Sequence, residues 1–141
     1  MSNAPFTSDI KGAVHKDLRH DSAHKHVAGS AVYIDDLAEP KNMLHMYVAM
    51  SEKPHAEITG LDLDAVRSAK GVACVLTAKD IPGHNDVSPF AGDDPLFATT
   101  LVEYIGQPVF AVAANSLDEA IAAAELAEIG YRELPLSLIH I

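Results

Sequence analysis

Cysteine occurs once in 141 residues, at Cys74 inside an apolar run. That scarcity excludes a disulfide framework, a C-x-x-C motif and an iron–sulfur ligand set within this chain, and fits a reducing, intracellular compartment. Basic residues are also few. Ten Lys and Arg against twenty Asp and Glu give a net charge of −10, a field that repels phosphate backbones and anionic lipid surfaces. Nucleic acid and membrane surfaces are therefore not expected partners. Long apolar runs are missing too, since each candidate breaks at Gly, Pro or a charge within a few residues, well short of the ~20 residues that span a bilayer. The opening MSNAPFTSDIKG lacks the apolar stretch of a secretory signal, so the expected location is cytoplasmic. Internal repeats and low-complexity segments are absent as well.

What remains is the composition of a globular domain: 48% hydrophobic and 21% charged residues, enough apolar surface to offset chain entropy over about one domain's length. Residues 1–26 are polar, basic and rich in histidine, with no sustained apolar period, and read as an N-terminal arm. From Val27 the pattern is punctuated by Pro40, Pro54 and Gly60, which predicts strands at Ala31–Ile34, Leu44–Met50 and Ile58–Leu61. Asp62 to Ser68 reads as a short helix, started by Asp62 or Asp64 and ended by Gly71 in the left-handed region. Gly71 to Leu76, GVACVL, is apolar throughout and suits a strand buried on both faces, after which Thr77 to Asp80 caps a single turn.

Gly83 to Ala98 carries turn chemistry without periodicity and reads as a long loop. Strands are expected at Val102–Ile105 and Pro108–Ala114, joined through Gly106. Ser116 to Glu119 has the S-x-x-E form of a capping box, and in the helix it opens Ala120, Ala123, Ala124 and Ala127 share one side, small enough to lie close to a sheet. Glu128 to Glu133 alternates as a final strand. The expectation is an α/β domain with a mixed sheet and two principal helices.

The residues with chemical potential gather in His20–Asp36, HDSAHKHVAGSAVYIDD. His20 and His24 would share a helical face as metal ligands with His26 nearby, but a closed site needs a fourth ligand and a stiff scaffold, and the segment shows neither. Asp21, Ser22 and His24 contain the types of a nucleophilic triad, but close neighbours on one arm cannot supply triad geometry. Asp35 and Asp36 read as caps of a following turn or partners of an Arg, rather than an acid–base pair. Gly106, Gln107 and Pro108 read as a bulge or turn with Gln107 bonded to local backbone, the alternative being a ligand-facing loop. Cys74 reads as a small buried hydrophobe, His55 as a strand-edge residue whose ring packs or bonds locally, and Met43, Met46 and Met50 as core, the alternative being thioethers adapted to a partner's surface. No catalytic, cofactor-binding or metal-binding residue is assigned on these grounds.

Five phrases occur in an order that resembles a known family: HVAGSAVYIDD (His26–Asp36), SEKPHAEI (Ser51–Ile58), GVACVLTAKDIP (Gly71–Pro82), YIGQPVFAVAA (Tyr104–Ala114) and YRELP (Tyr131–Pro135). Together they resemble the a/b hammerhead domain at the start of the molybdopterin-binding subunit of xanthine dehydrogenases, shared with aldehyde oxidases and related molybdenum hydroxylases. LRHDSAHKHV (Leu18–Val27) and YIDD are most similar to the bacterial xanthine dehydrogenases. The resemblance places the hammerhead domain at 27–135. It implies a parent enzyme with molybdopterin and molybdenum, iron–sulfur clusters and FAD, which hydroxylates xanthine to urate and passes the electrons to NAD. The implied partners are the remainder of the molybdenum subunit and an iron–sulfur/FAD subunit. In that family the cofactor-holding and catalytic residues lie in later domains, so none is carried over, and the chain alone is expected to be an inactive structural and docking domain. Faces buried in the parent would then show apolar side chains and favour self-association.

Two other functions stay open on sequence alone: a freestanding small-ligand or metal-binding module using the histidine arm and the Gly83–Ala98 loop, and a small hydrolase, which ranks last because no activated nucleophile is visible. The final LSLIHI, Leu136–Ile141, departs from the family and back-translates to CTGTCTCTTATACACATC, which resembles a transposase adapter, so 136–141 is read as a non-native tail. Reading unfragmented source DNA across the Pro135 codon is expected to show a frame continuing into a molybdopterin-binding domain; a native LSLIHI in that frame would refute the adapter reading.

Overall fold

A computed structural model describes residues 20–90, 92–137 and 139. Most of the expected arm at 1–26, together with Leu138, His140 and Ile141 of the expected tail, lies outside the described residues. The chain forms two compact units, Met1–Glu39 and Pro40–Ile141.

In the first unit, helix α1 (Ala23–Val27) is followed by a 3-10 turn at Ile34–Asp36. The strand expected at Ala31–Ile34 does not form. Val32, Tyr33 and Ile34 are exposed, and the Asp36 carboxylate accepts the Tyr33 N–H at 2.9 Å, closing a capped turn instead. A side chain that satisfies nearby backbone competes with a strand ladder.

The second unit contains β1 (His45–Met50), β2 (Ala56–Asp62), α2 (Asp64–Ser68), β3 (Val72–Leu76), β4 (Leu101–Val102), β5 (Pro108–Ala114), α3 (Leu117–Ala124) and β6 (Glu128–Glu133). The α/β class, the β5 and β6 boundaries and the two principal helices follow the sequence expectation. The expected mixed sheet resolves into two three-stranded sheets, ordered β1-β5-β3 and β4-β2-β6, in which every pairing is antiparallel. The strand expected at Val102–Ile105 shortens to Leu101–Val102, because Tyr104 to Gln107 turn back: the Gln107 N–H donates to the Tyr104 carbonyl and Gly106 adopts φ +92.

Strand β5 organises this unit. Phe110, Val112 and Ala114 point to one face and Val109 and Ala111 to the other, and all five are at most 1% exposed. Helix α3 covers the first face through Ala120, Ala123 and Ala124, whose small side chains allow close approach, as their spacing suggested. Its start is the expected cap, with Ser116 Oγ accepting the Glu119 N–H at 3.2 Å. Ahead of β3, Gly71 adopts φ +82, and a Cβ there would collide with the Glu119 carboxylate, so only glycine suits the position.

Three expectations about burial are corrected. GVACVL does not form a strand buried on both faces, because β3 lies at the edge of its sheet and of its residues only Val75 is buried. Cys74 is accordingly exposed. Met43, Met46 and Met50 are also exposed rather than core: Met43 precedes β1, and Met46 and Met50 lie on β1 itself, the opposite edge strand. An apolar run reports the affinity of its side chains for a core and carries no information on whether a neighbouring layer arrives to cover them.

The Gly83–Ala98 loop is held by its own polar side chains. Asn85 brackets Phe97, donating to its carbonyl at 2.7 Å and accepting its N–H at 2.9 Å. Asp86 accepts both the N–H and the hydroxyl of Ser88 at 3.0 Å. The bonds from the Ser88 N–H and hydroxyl hold the Asp86 carboxyl below the usual carboxylate range.

Truncation of Phe110 to Ala is expected to lower unfolding stability by about 3–5 kcal/mol in urea denaturation, because the fully buried ring leaves a cavity at the strand on which both layers meet. The loop gives a pH signature of definite sign. Since Asp86 titrates lower in the folded loop than its ordinary 3.8, its contribution is complete above that value and declines as pH falls toward the folded pKa. Amide protection at Ser88 is thus expected to persist to about pH 4 and to fall away only as the pH drops below the ordinary 3.8, read by hydrogen exchange, whereas Asp86→Ala should abolish it at neutral pH.

Candidate functional site

The histidine segment is the first candidate. His20 precedes α1 rather than lying on it, so His20 and His24 do not share the helical face expected of them. Its ring instead meets His26 edge-on, with centroids 6.0 Å apart, and His26 in turn meets Tyr33 at 5.7 Å. Both inner nitrogens are engaged: His20 Nδ1 accepts the Ser22 N–H at 3.2 Å, and His26 Nδ1 bonds the Tyr33 hydroxyl at 2.9 Å. Among the described residues no group of three or more His, Cys, Asp or Glu could hold a metal ion. The Ser22 hydroxyl donates to Asp21 at 3.1 Å, not to a histidine, which leaves a triad without a base on its nucleophile. Asp36 is spent capping the Ile34–Asp36 turn. This arrangement does not favour the ligand- or metal-binding reading of the arm.

The Gly106–Pro108 turn proves structural. Gln107 is 2% exposed, its Oε1 accepts the Glu103 N–H at 2.7 Å, and its carbonyl accepts the Ser51 N–H at 2.8 Å. The side chain reads its own backbone, as expected. His55 bonds further along the chain than expected, its Nδ1 lying 2.9 Å from the Pro135 carbonyl while the Leu134 N–H donates to the His55 carbonyl at 3.0 Å. These contacts tie the segment after β6 to the start of β2.

Sheet β4-β2-β6 carries cross-strand ion pairs on its surface. Glu57 and Arg132 stand opposite one another in the β2–β6 register and are ion-paired, and the Arg132 hydrogen bond holds the Glu57 carboxyl below the usual range. Lys53 reaches Glu133 at 2.5 Å, a hydrogen bond that raises the lysine and lowers the glutamate. Both pairs are solvent-exposed, where ion pairs add little stability.

A cleft of about 1100 Å³ lies among the ends of β2 and β6, helix α2 and the Ala78–Asp80 turn. Asp62, Asp64 and Glu128 share its lining with Arg67 and Lys79, and no Cys, His or Ser lines it. The lining hydroxyl of Thr77 donates to Asp80 at 2.8 Å in a capping box. This bond and the Thr77 N–H depress the Asp80 carboxyl, with Arg67 and Lys79 adding smaller attractions. Among the described residues no buried side-chain nitrogen or oxygen lacks a hydrogen bond. The cleft itself is lined by three carboxylates against two cations and carries no thiol. That predominantly acidic donor set does not fit an anionic molybdenum cofactor.

Residues 28–135 match the family described as "Aldehyde oxidase and xanthine dehydrogenase, a/b hammerhead domain". The chain is 40% identical to xanthine dehydrogenase 1 of Arabidopsis thaliana over 119 residues, covering 84% of the chain and 9% of that protein. It is 32% identical to mouse aldehyde oxidase 3 over its full 141 residues, 10% of that protein's length. Its fold matches the aldehyde oxidoreductase of Desulfovibrio desulfuricans ATCC 27774 with a TM-score of 0.70 and 32% identity, across 82% of this chain and 14% of that one. The chain thus spans about a tenth of the length of its curated relatives. With the family matched from residue 28 to 135 and the layered α/β architecture in place, the chain belongs to the aldehyde oxidase and xanthine dehydrogenase family, in which it is an a/b hammerhead domain.

Proposed function

We propose that this chain is a segment of the molybdenum-binding subunit of a xanthine dehydrogenase, and that it serves that subunit as a structural and docking domain while the chemistry resides elsewhere. One observation carries the reading: a chain whose residues 28–135 match the a/b hammerhead domain and which covers only 9% of the length of a xanthine dehydrogenase. The substrate assignment, xanthine hydroxylated to urate, is supported by the names of similar proteins from Arabidopsis thaliana and Oryza sativa, each called xanthine dehydrogenase. The bacterial form of the parent is supported by the phrases LRHDSAHKHV and YIDD.

In this reading the parent carries molybdopterin with molybdenum, iron–sulfur clusters and FAD, uses NAD as acceptor, and works in the cytoplasm. The hammerhead domain contacts the remainder of the molybdenum subunit and an iron–sulfur/FAD subunit. The division into an arm at 1–26, a domain at 27–135 and a non-native tail at 136–141 belongs to the same proposal, and the family match over 28–135 supports it. Among the described residues no helix is long and apolar enough to cross a membrane.

Purified alone, the 141-residue chain is expected to hold no stoichiometric molybdenum by elemental analysis and to form no urate from xanthine. The longer polypeptide, expressed with an iron–sulfur/FAD partner, is expected to do both. Urate formation by the short chain would overturn the proposal.

A further inference from the structure

Sheet β1-β5-β3 has a second face, turned away from α3. The registers place Met46, Ala113 and Cys74 in one row across all three strands, and Val48, Ala111 and Leu76 in the next. Side chains alternate along a strand, so both rows project opposite to Phe110 and Val112, which α3 covers. Exposure is 58% at Met46 and 37% at Leu76, Cys74 is exposed, Val48 and Ala113 are half-buried and Ala111 is buried, so the open part of the face is the Met46–Ala113–Cys74 row with Leu76 at its flank. Not one of these six side chains is charged, on a chain whose net charge is −10. An uncharged apolar face across three adjacent strands marks an interaction site, and a methionine at its centre adapts readily to an opposing surface.

Two occupants could cover this face, and charge separates them. A second copy would bring a further −10 against the first, and like charges resist association at low ionic strength. The alternative is the polypeptide that accompanies this domain in its relatives, about nine-tenths of their length. Covalent continuity supplies that surface at high effective concentration without a second encounter, and permanent interfaces of this kind are the more apolar ones. We propose that the face centred on Met46, Ala113 and Cys74 docks onto an uncharged apolar surface elsewhere in the same molybdenum-subunit polypeptide. This rests on the functional reading above.

Cys74, the one cysteine of the chain, reports on the face directly. The isolated chain and the full-length polypeptide are treated with N-ethylmaleimide, and the Cys74 peptide is quantified by mass spectrometry. Rapid labelling of the isolated chain and labelling slowed at least about 100-fold in the full-length protein are expected. Met46→Glu, at an exposed position, should leave the isolated chain's melting temperature unchanged yet restore labelling of Cys74 in the full-length protein, whereas Met46→Leu should keep it protected. Equal labelling in both contexts would overturn the inference, as would protection of the isolated chain that grows with its concentration, the mark of a second copy on the face. The functional reading fails by a different result, a full-length protein with Cys74 protected but without molybdenum or urate formation.

Discussion

Burial of β5 on both faces is the constraint on which the rest of the second unit depends. It is the only strand of its sheet paired along both edges, and its side chains meet α3 on one side, while on the other Val109 and Ala111 are buried and Ala113 is half-buried. A strand in that position must be apolar at every residue, and PVFAVAA is. The alanines of α3 follow from the same constraint: Phe110 occupies the interlayer space, so the helix above it must present small side chains.

Local chemistry was the most legible part of the sequence. The Ser116 cap, the Thr77–Asp80 turn, the left-handed Gly71 and the role of Gln107 are each set by hydrogen bonds or steric limits within a few residues. Sheet order was less legible, because it depends on which strand lies between which. GVACVL and PVFAVAA have the same apolar character, yet the former ends a sheet and the latter centres it. The misplaced burial of Cys74 and of Met46 stems from that one missing fact. In the first unit the error had another source, since β-branched residues at Val32 and Ile34 were outweighed by a carboxylate two residues beyond Ile34.

The candidate chemistry dissolved for a shared physical reason. Asp21, a candidate triad member, is occupied by the Ser22 hydroxyl, and Asp36, Asp80 and Gln107 bond neighbouring N–H or hydroxyl groups as their sequence positions suggested. A short polar side chain beside a turn satisfies the backbone first. What distinguishes this domain is therefore the distribution of its apolar surface, which only the folded registers reveal.

The two sheets end differently. Strand β6 closes one with Glu128, Arg132 and Glu133, the latter two held in ion pairs. Strand β3 closes the other with Val72–Leu76, which carries no charge at all. A stray extended segment adding to β6 must strip water from carboxylates and a guanidinium, whereas at β3 it meets no such barrier. When the domain is overproduced or heated, fibrous aggregation should therefore be seeded at the VACVL edge, and a single lysine in that strand would act as a gatekeeper where the native sequence has none.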